Sequence, residues 1–182
     1  LLTKKHTTID KLIETMPQLI MSKEKLLADG LNIDEIYNAI ARNILNAIPE
    51  EWDEAALEIL MFTVDYSIGI NGFYTLNGEK FYFDILRSDF ESNEVRTSIV
   101  FYELFKRMQE NESDVPWNKC IFELNSDGSF KIKFKLDMDF EWYKSLDPDS
   151  DEFYALDISV VEAIQTWEGL PDGVARSWKA PK

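Results

Sequence analysis

Apolar residues recur over 33–48 at the spacing of one helix face: Ile33, Ile36, Tyr37, Ile40, Ile44, Leu45 and Ile48. Asn32 precedes this run and Glu35 stands three residues later, the arrangement of a capping box. Asp34 and Glu35 suit the positive end of the helix dipole, and Pro49 stops the helix. Upstream, residues 1–31 read as a helical preface. Leu12, Ile13 and Met16 come first, Pro17 interrupts, Leu19, Ile20, Leu26 and Leu27 follow, and Asp29-Gly30 closes the segment. A helical hairpin and one kinked helix fit it equally.

Strand patterns come next. Ala56 to Val64 is dense in apolar residues, a turn is expected around Asp65 to Ser67, and a second run spans Ile68 to Leu76. Asn77-Gly78 separates Phe73-Tyr74-Thr75 from Phe81-Tyr82-Phe83. An Asn-Gly pair between aromatic runs signals a hairpin, because both residues tolerate positive φ. The expectation is a three-stranded antiparallel meander. A second helix is expected over Glu94 to Gln109, capped by Ser92 or Asn93, with Val95, Ile99, Tyr102, Phe105 and Met108 as its stripe. Asn111 to Val115, before Pro116, reads as a loop. Another hairpin pairs Lys119–Leu124 with Ser129–Leu136 across Asn125-Ser126-Asp127-Gly128. Phe130, Ile132, Phe134 and Leu136 alternate there with Lys131, Lys133 and Lys135, so the lysines should face water. A final helix is expected from Ser150 to Trp167, with Phe153, Leu156, Val160 and Ile164 on one face and Gly169 and Pro171 closing it.

The fold class that follows is α+β: a mainly antiparallel sheet of about five strands packed against helices, with the helical preface in front. The expected division is 1–31 as an extension, 32–171 as one domain and 172–182 as a tail. No repeat at a fixed period is present.

Composition narrows the chemistry. Hydrophobic residues make up 45% of the 182, enough for a sizeable core. No apolar run approaches the ~20 residues of a membrane span. The first residues show no basic region followed by an apolar stretch, so no secretory leader is expected in them; the chain opens Leu1-Leu2 without Met, which leaves a trimmed start open. One cysteine, Cys120, cannot form an internal disulfide and suits a reducing compartment, so a cytoplasmic location is expected. Within an apolar stretch it reads as a buried small hydrophobe.

Catalytic constellations are scarce. The only histidine is His6, so Cys120 has no evident base. One Cys and one His make no zinc site, and the 7 glycines form neither a P-loop nor a dinucleotide fingerprint. Asp147-x-Asp149-x-Asp151 resembles the start of a calcium loop, but Glu152 and Ile158 stand where Gly and Glu are needed. With 34 acids, a close carboxylate pair carries little information. No enzyme, metal or cofactor is expected.

The net charge is −15. Such a field repels nucleic acid and anionic membranes and attracts basic partners. Asp137, Asp139, Glu141, Asp147, Asp149, Asp151 and Glu152 face Lys144 alone over residues 137–152, a local charge of −6. Trp142 and Tyr143 are embedded there. Aromatics ringed by acids suit an interface anchor with a charged rim; they could equally pin the segment to the sheet. These nine residues form the candidate partner-binding surface, and the exposed face of the helix over 94–109 is a competitor. Trp52, Trp117 and the Phe-rich strands read as core.

Three motifs in order carry a resemblance. Ile36 to Trp52, ending Ile48-Pro49-Glu50-Glu51-Trp52, resembles the opening of the YezG-like (EsaG-like) antitoxin and immunity proteins. Pro116-Trp117-Asn118, the Ser126-Asp127-Gly128 turn and Phe130 to Phe134 are similar to that family's second half. Trp167-Glu168-Gly169-Leu170-Pro171 is similar to its ending. The resemblance covers roughly 33–171; the preface departs from it. It implies an α+β fold, no catalytic residues, and inhibition of a cognate protein toxin, a nuclease delivered between bacteria. A basic nuclease and an acidic inhibitor are electrostatically matched. A non-enzymatic adaptor or chaperone, which would show a broad apolar groove, and immunity against a non-nuclease toxin stay open, as does oligomeric state.

Overall fold

The structure, a computed structural model, describes residues 28–62, 67–91, 94–109, 116–176 and 178. The preface lies outside the described residues up to residue 27, as do the proposed caps Ser92 and Asn93, most of the 65–67 turn and the 111–115 loop. Ala28 and Asp29 are helical, and Ala28 is buried.

Helix α1 spans Ile33–Ala47, and its capping box forms as expected. The Glu35 N–H donates to Asn32 Oδ1 at 3.0 Å, and the Asn32 N–H donates to Glu35 Oε2 at 2.7 Å. Its inward stripe is Ile36, Ala39, Ile40, Asn43 and Ile44; Ile33 and Leu45 of the expected stripe are exposed. Each buried isoleucine stabilises the fold by about 1.5–3 kcal/mol. The helix ends before Pro49, whose ring cannot continue it.

Five strands follow in a single antiparallel sheet of order β3-β2-β1-β4-β5: β1 Glu54–Met61, β2 Ile68–Leu76, β3 Glu79–Phe83, β4 Lys119–Asn125 and β5 Phe130–Lys135. The expected meander is β1-β2-β3. Asn77 and Gly78 take φ of 52° and 81°, the type I′ pattern that closes β2 onto β3. In the central strand, alternation assigns faces. Ala55, Leu57, Ile59 and Met61 join the main core, whereas Leu60 on the opposite face joins a second cluster.

Three helices cover the main-core face: α1, α2 (Ile85–Glu91) and α3 (Thr97–Arg107). Helix α2 was not legible in the periodicity. Helix α3 begins at Thr97, later than the expected Glu94, and its start is capped from a distance. Asp89 accepts the Thr97 N–H at 2.9 Å and the Thr97 hydroxyl at 2.8 Å. Its fully buried side is Thr97, Val100, Phe101 and Leu104. Of the expected stripe, Ile99 is buried, and Val95, Tyr102, Phe105 and Met108 are half-buried at the core's edge.

The C-terminal third covers one end of the other sheet face. It comprises α4 (Met138–Ser145), α5 (Asp151–Tyr154) and α6 (Ile158–Ile164). The single helix expected over 150–167 is two helices: the first ends at Tyr154 with Ala155 as its C-cap, and Asp157 caps the next, its Oδ1 accepting from the Ser159 N–H at 2.8 Å and the Ser159 hydroxyl at 2.6 Å. Phe140, Ile164 and Leu170 close over Leu60. The lysine face of β5 is therefore only partly open to water. Lys133 pairs with Glu123 at 2.6 Å, and the Lys135 ammonium lies 4.7 Å from the Trp167 ring centroid. No helix among the described residues is long and apolar enough to cross a membrane.

Candidate functional site

The acidic segment divides into an inward half and an outward half. Asp137 caps α4, accepting the N–H groups of Asp139 and Phe140 at 3.0 and 3.1 Å. It also accepts from the wholly buried Lys119 ammonium at 2.7 Å. Burial pushes the Asp137 carboxyl up, but the hydrogen bonds from Lys119 and the Phe140 N–H outweigh it and hold the group below the ordinary carboxylate range. Asp139 is buried and accepts from Arg176 Nε at 2.7 Å and the Trp178 indole N–H at 3.3 Å. Glu141 accepts from Asn118 Nδ2 at 2.8 Å and pairs with Lys144 at 2.6 Å.

The two aromatics of this half are also committed within the chain. Trp142 stacks on Trp178 with centroids 3.7 Å apart and planes within 7°. Tyr143 lies between Phe140 and Phe153, at 6.5 and 5.9 Å. Trp142 and Tyr143 remain half-exposed, so each can still touch a partner, but their packing is of the pinning kind.

Beyond Ser145 the segment turns outward. Asp147, Asp149, Asp151 and Glu152 are exposed. Asp147 Oδ1 accepts the Asp149 N–H at 3.0 Å, and Ser150 caps α5 through the Phe153 N–H at 3.2 Å, so the acids sit on ordered turns. The acidic surface continues past residue 152 to exposed Asp157 and Glu162, and no Lys or Arg occurs from Ser145 to Ala175. The same corner carries two large exposed apolar side chains, Tyr154 and Ile158. They escape the periodicity reading because they fall off the Phe153, Leu156, Val160, Ile164 stripe. Their being four residues apart on the polar side was the available signal.

The other chemistries have their places too. Cys120 is fully buried, and burial pushes its thiol well up, away from the reactive thiolate. No group of three or more His, Cys, Asp or Glu residues able to hold a metal occurs among the described residues. A concavity of about 260 Å³ on the open sheet face is lined by Glu54, Ala56, Phe73, Thr75, Glu123, Asn125 and Lys131. No histidine or cysteine stands among its lining residues.

Compared with models of known protein families, residues 33–156 match the immunity protein YezG-like family. The chain belongs to the YezG-like immunity proteins. No curated protein matches it. The match runs from the first residue of α1 through the end of the outward acidic half, so the whole sheet and both halves of the candidate surface lie within the YezG-like region. Beyond that match, Ile164 and Leu170 complete the second cluster, the Ile164 and Thr166 carbonyls supply two of the three acceptors of Lys119, and Arg176 and Trp178 are partners of Asp139.

Proposed function

We propose that this YezG-like protein works in the cytoplasm as a non-enzymatic antitoxin, binding a basic nuclease toxin and covering its active or nucleic-acid-binding surface. The observation that carries the reading is the family match combined with an ordered, outward acidic surface that has no basic residue from Ser145 to Ala175. A nuclease must attract polyanions, so its substrate face is basic. An acidic inhibitor is steered to that face, and it can take the place of phosphates there. The surface on this reading includes Asp147, Asp149, Asp151 and Glu152, with Asp137, Asp139, Glu141, Trp142 and Tyr143 holding it in place from within.

Association of the purified chain with the toxin domain encoded beside its gene tests the reading by stopped flow across salt concentrations. The expected result is fast binding that slows steeply with salt. Reversing Asp147, Asp149 and Asp151 to Lys should lower the association rate and flatten its salt dependence. Unchanged kinetics in that variant would place the interface elsewhere.

A further inference from the structure

We infer that Tyr154 and Ile158, at the corner between α5 and α6, are the apolar anchors that the toxin's basic face closes over. The inference rests on the immunity reading above and adds to it the residues that hold the complex together once charge has steered it. Tyr154 is 74% exposed and Ile158 69%. Among the described residues Tyr82 is as exposed, at 74%, and Met138 reaches 59%; Tyr82 lies apart from the acidic stretch, on β3, with the Lys80 ammonium 5.3 Å from its ring centroid. Single exposed apolar residues are common on any protein. Here two stand four residues apart in a stretch that also holds exposed Asp147, Asp149, Asp151, Glu152, Asp157 and Glu162 and no Lys or Arg.

That composition, an aromatic and an aliphatic side chain exposed among charged residues, is the kind that concentrates binding energy in protein interfaces. Charge complementarity fixes the occupant as a basic protein surface with an apolar recess. The corner is also held rigid before binding. Ser150 caps α5, Asp157 caps α6, and Lys119 clamps the end of α6 through the Ile164 carbonyl at 2.6 Å. A preordered platform loses little freedom on association, so more of its contact energy appears as affinity.

The division of labour gives a kinetic test with full-length chain and the toxin domain encoded beside its gene. Tyr154→Ala and Ile158→Ala should each raise the dissociation rate about tenfold or more while leaving the association rate within about twofold. Asp149→Asn with Asp151→Asn should lower the association rate, and Tyr82→Ala should change neither. Both anchor residues are exposed, so thermal melts of the variants should match the parent. Wild-type dissociation from Tyr154→Ala and Ile158→Ala, or an equal loss in Tyr82→Ala, overturns the inference while the immunity reading stands. Failure of the parent chain to bind the toxin domain overturns that reading and this inference together.

Discussion

The Lys119 ammonium, on a side chain with no exposed surface, donates to Asp137 Oδ2 at 2.7 Å. Its other two hydrogen bonds go to the carbonyls of Ile164 and Thr166, at 2.6 and 2.7 Å. Three acceptors for three protons fit the charged form, although burial lowers the lysine's pKa. This one group ties β4, the start of α4 and the end of α6 together. Gly169 packs against the same point, with φ of +79° and a Cβ position 2.6 Å from Asp137 Oδ2, so any side chain there would strain the backbone and displace the Asp137 carboxylate.

Removing Asp137 should cost more than removing Lys119. Asp137→Ala leaves a buried ammonium without its counter-charge and deletes the α4 cap, a loss of about 3–5 kcal/mol. Lys119→Met leaves Asp137 with its two cap hydrogen bonds and with Lys135 at 3.8 Å. Urea unfolding should therefore rank the parent above Lys119→Met and Lys119→Met above Asp137→Ala.

Acid should act on two carboxyls in opposite senses. Asp137 has a folded pKa below its unfolded one, so its contribution is complete above the ordinary value near ~4 and is lost as pH falls through the folded pKa. Glu58, half-buried at the centre of the open sheet face, is raised by burial despite Lys80 and a hydrogen bond from the Trp167 backbone. Its ionisation is penalised in the fold at neutral pH, and the penalty is relieved as pH falls. Glu58→Gln should raise the melting temperature at pH 7, with the gain shrinking as pH falls toward the ordinary glutamate value near 4.5 and gone below it. Asp137→Asn should flatten the loss of stability as pH falls below about 4. Melting curves of both variants across pH check the signs.

Deleting residues 157–182, the part after the family match, should leave a chain without a cooperative transition. Lys119 would keep one acceptor of three, Asp139 would lose Arg176, and Phe140 and Leu60 would lose the cover of Ile164 and Leu170. A loss of near-UV circular dichroism in the truncated chain is expected. A two-state melt within a few degrees of the parent would contradict the role given to this segment.

Asp89→Ala should cost about 1–2 kcal/mol, the range of a lost helix cap, because Thr97 loses both its backbone and hydroxyl acceptor. The same residue shows where sequence reading stops. The capping box of Asn32 and Glu35 lies within one helical turn, so it was legible. The cap of α3 comes from Asp89, eight residues upstream on another helix, and no local pattern encodes that. Hairpins were legible for the same local reason, since Asn77-Gly78 fixes its own turn. The acidic segment was visible as composition, but composition carries no orientation. Only tertiary partners, Lys119 for Asp137 and Arg176 for Asp139, separate the acids that build the platform from those that face outward. Tyr154 and Ile158 were hidden because a single helix over 150–167 left them unremarked on a polar side, whereas the break at Asp157 turns them into an exposed corner.

Growth rescue tests the central claim most directly. The toxin domain encoded beside this chain's gene is expressed under tight control in a host lacking its own antitoxin, with and without the full chain. Growth restored by the chain, together with recovery of both proteins as one stoichiometric complex, is the predicted result. Undiminished killing in the presence of well-expressed, folded chain would contradict the account.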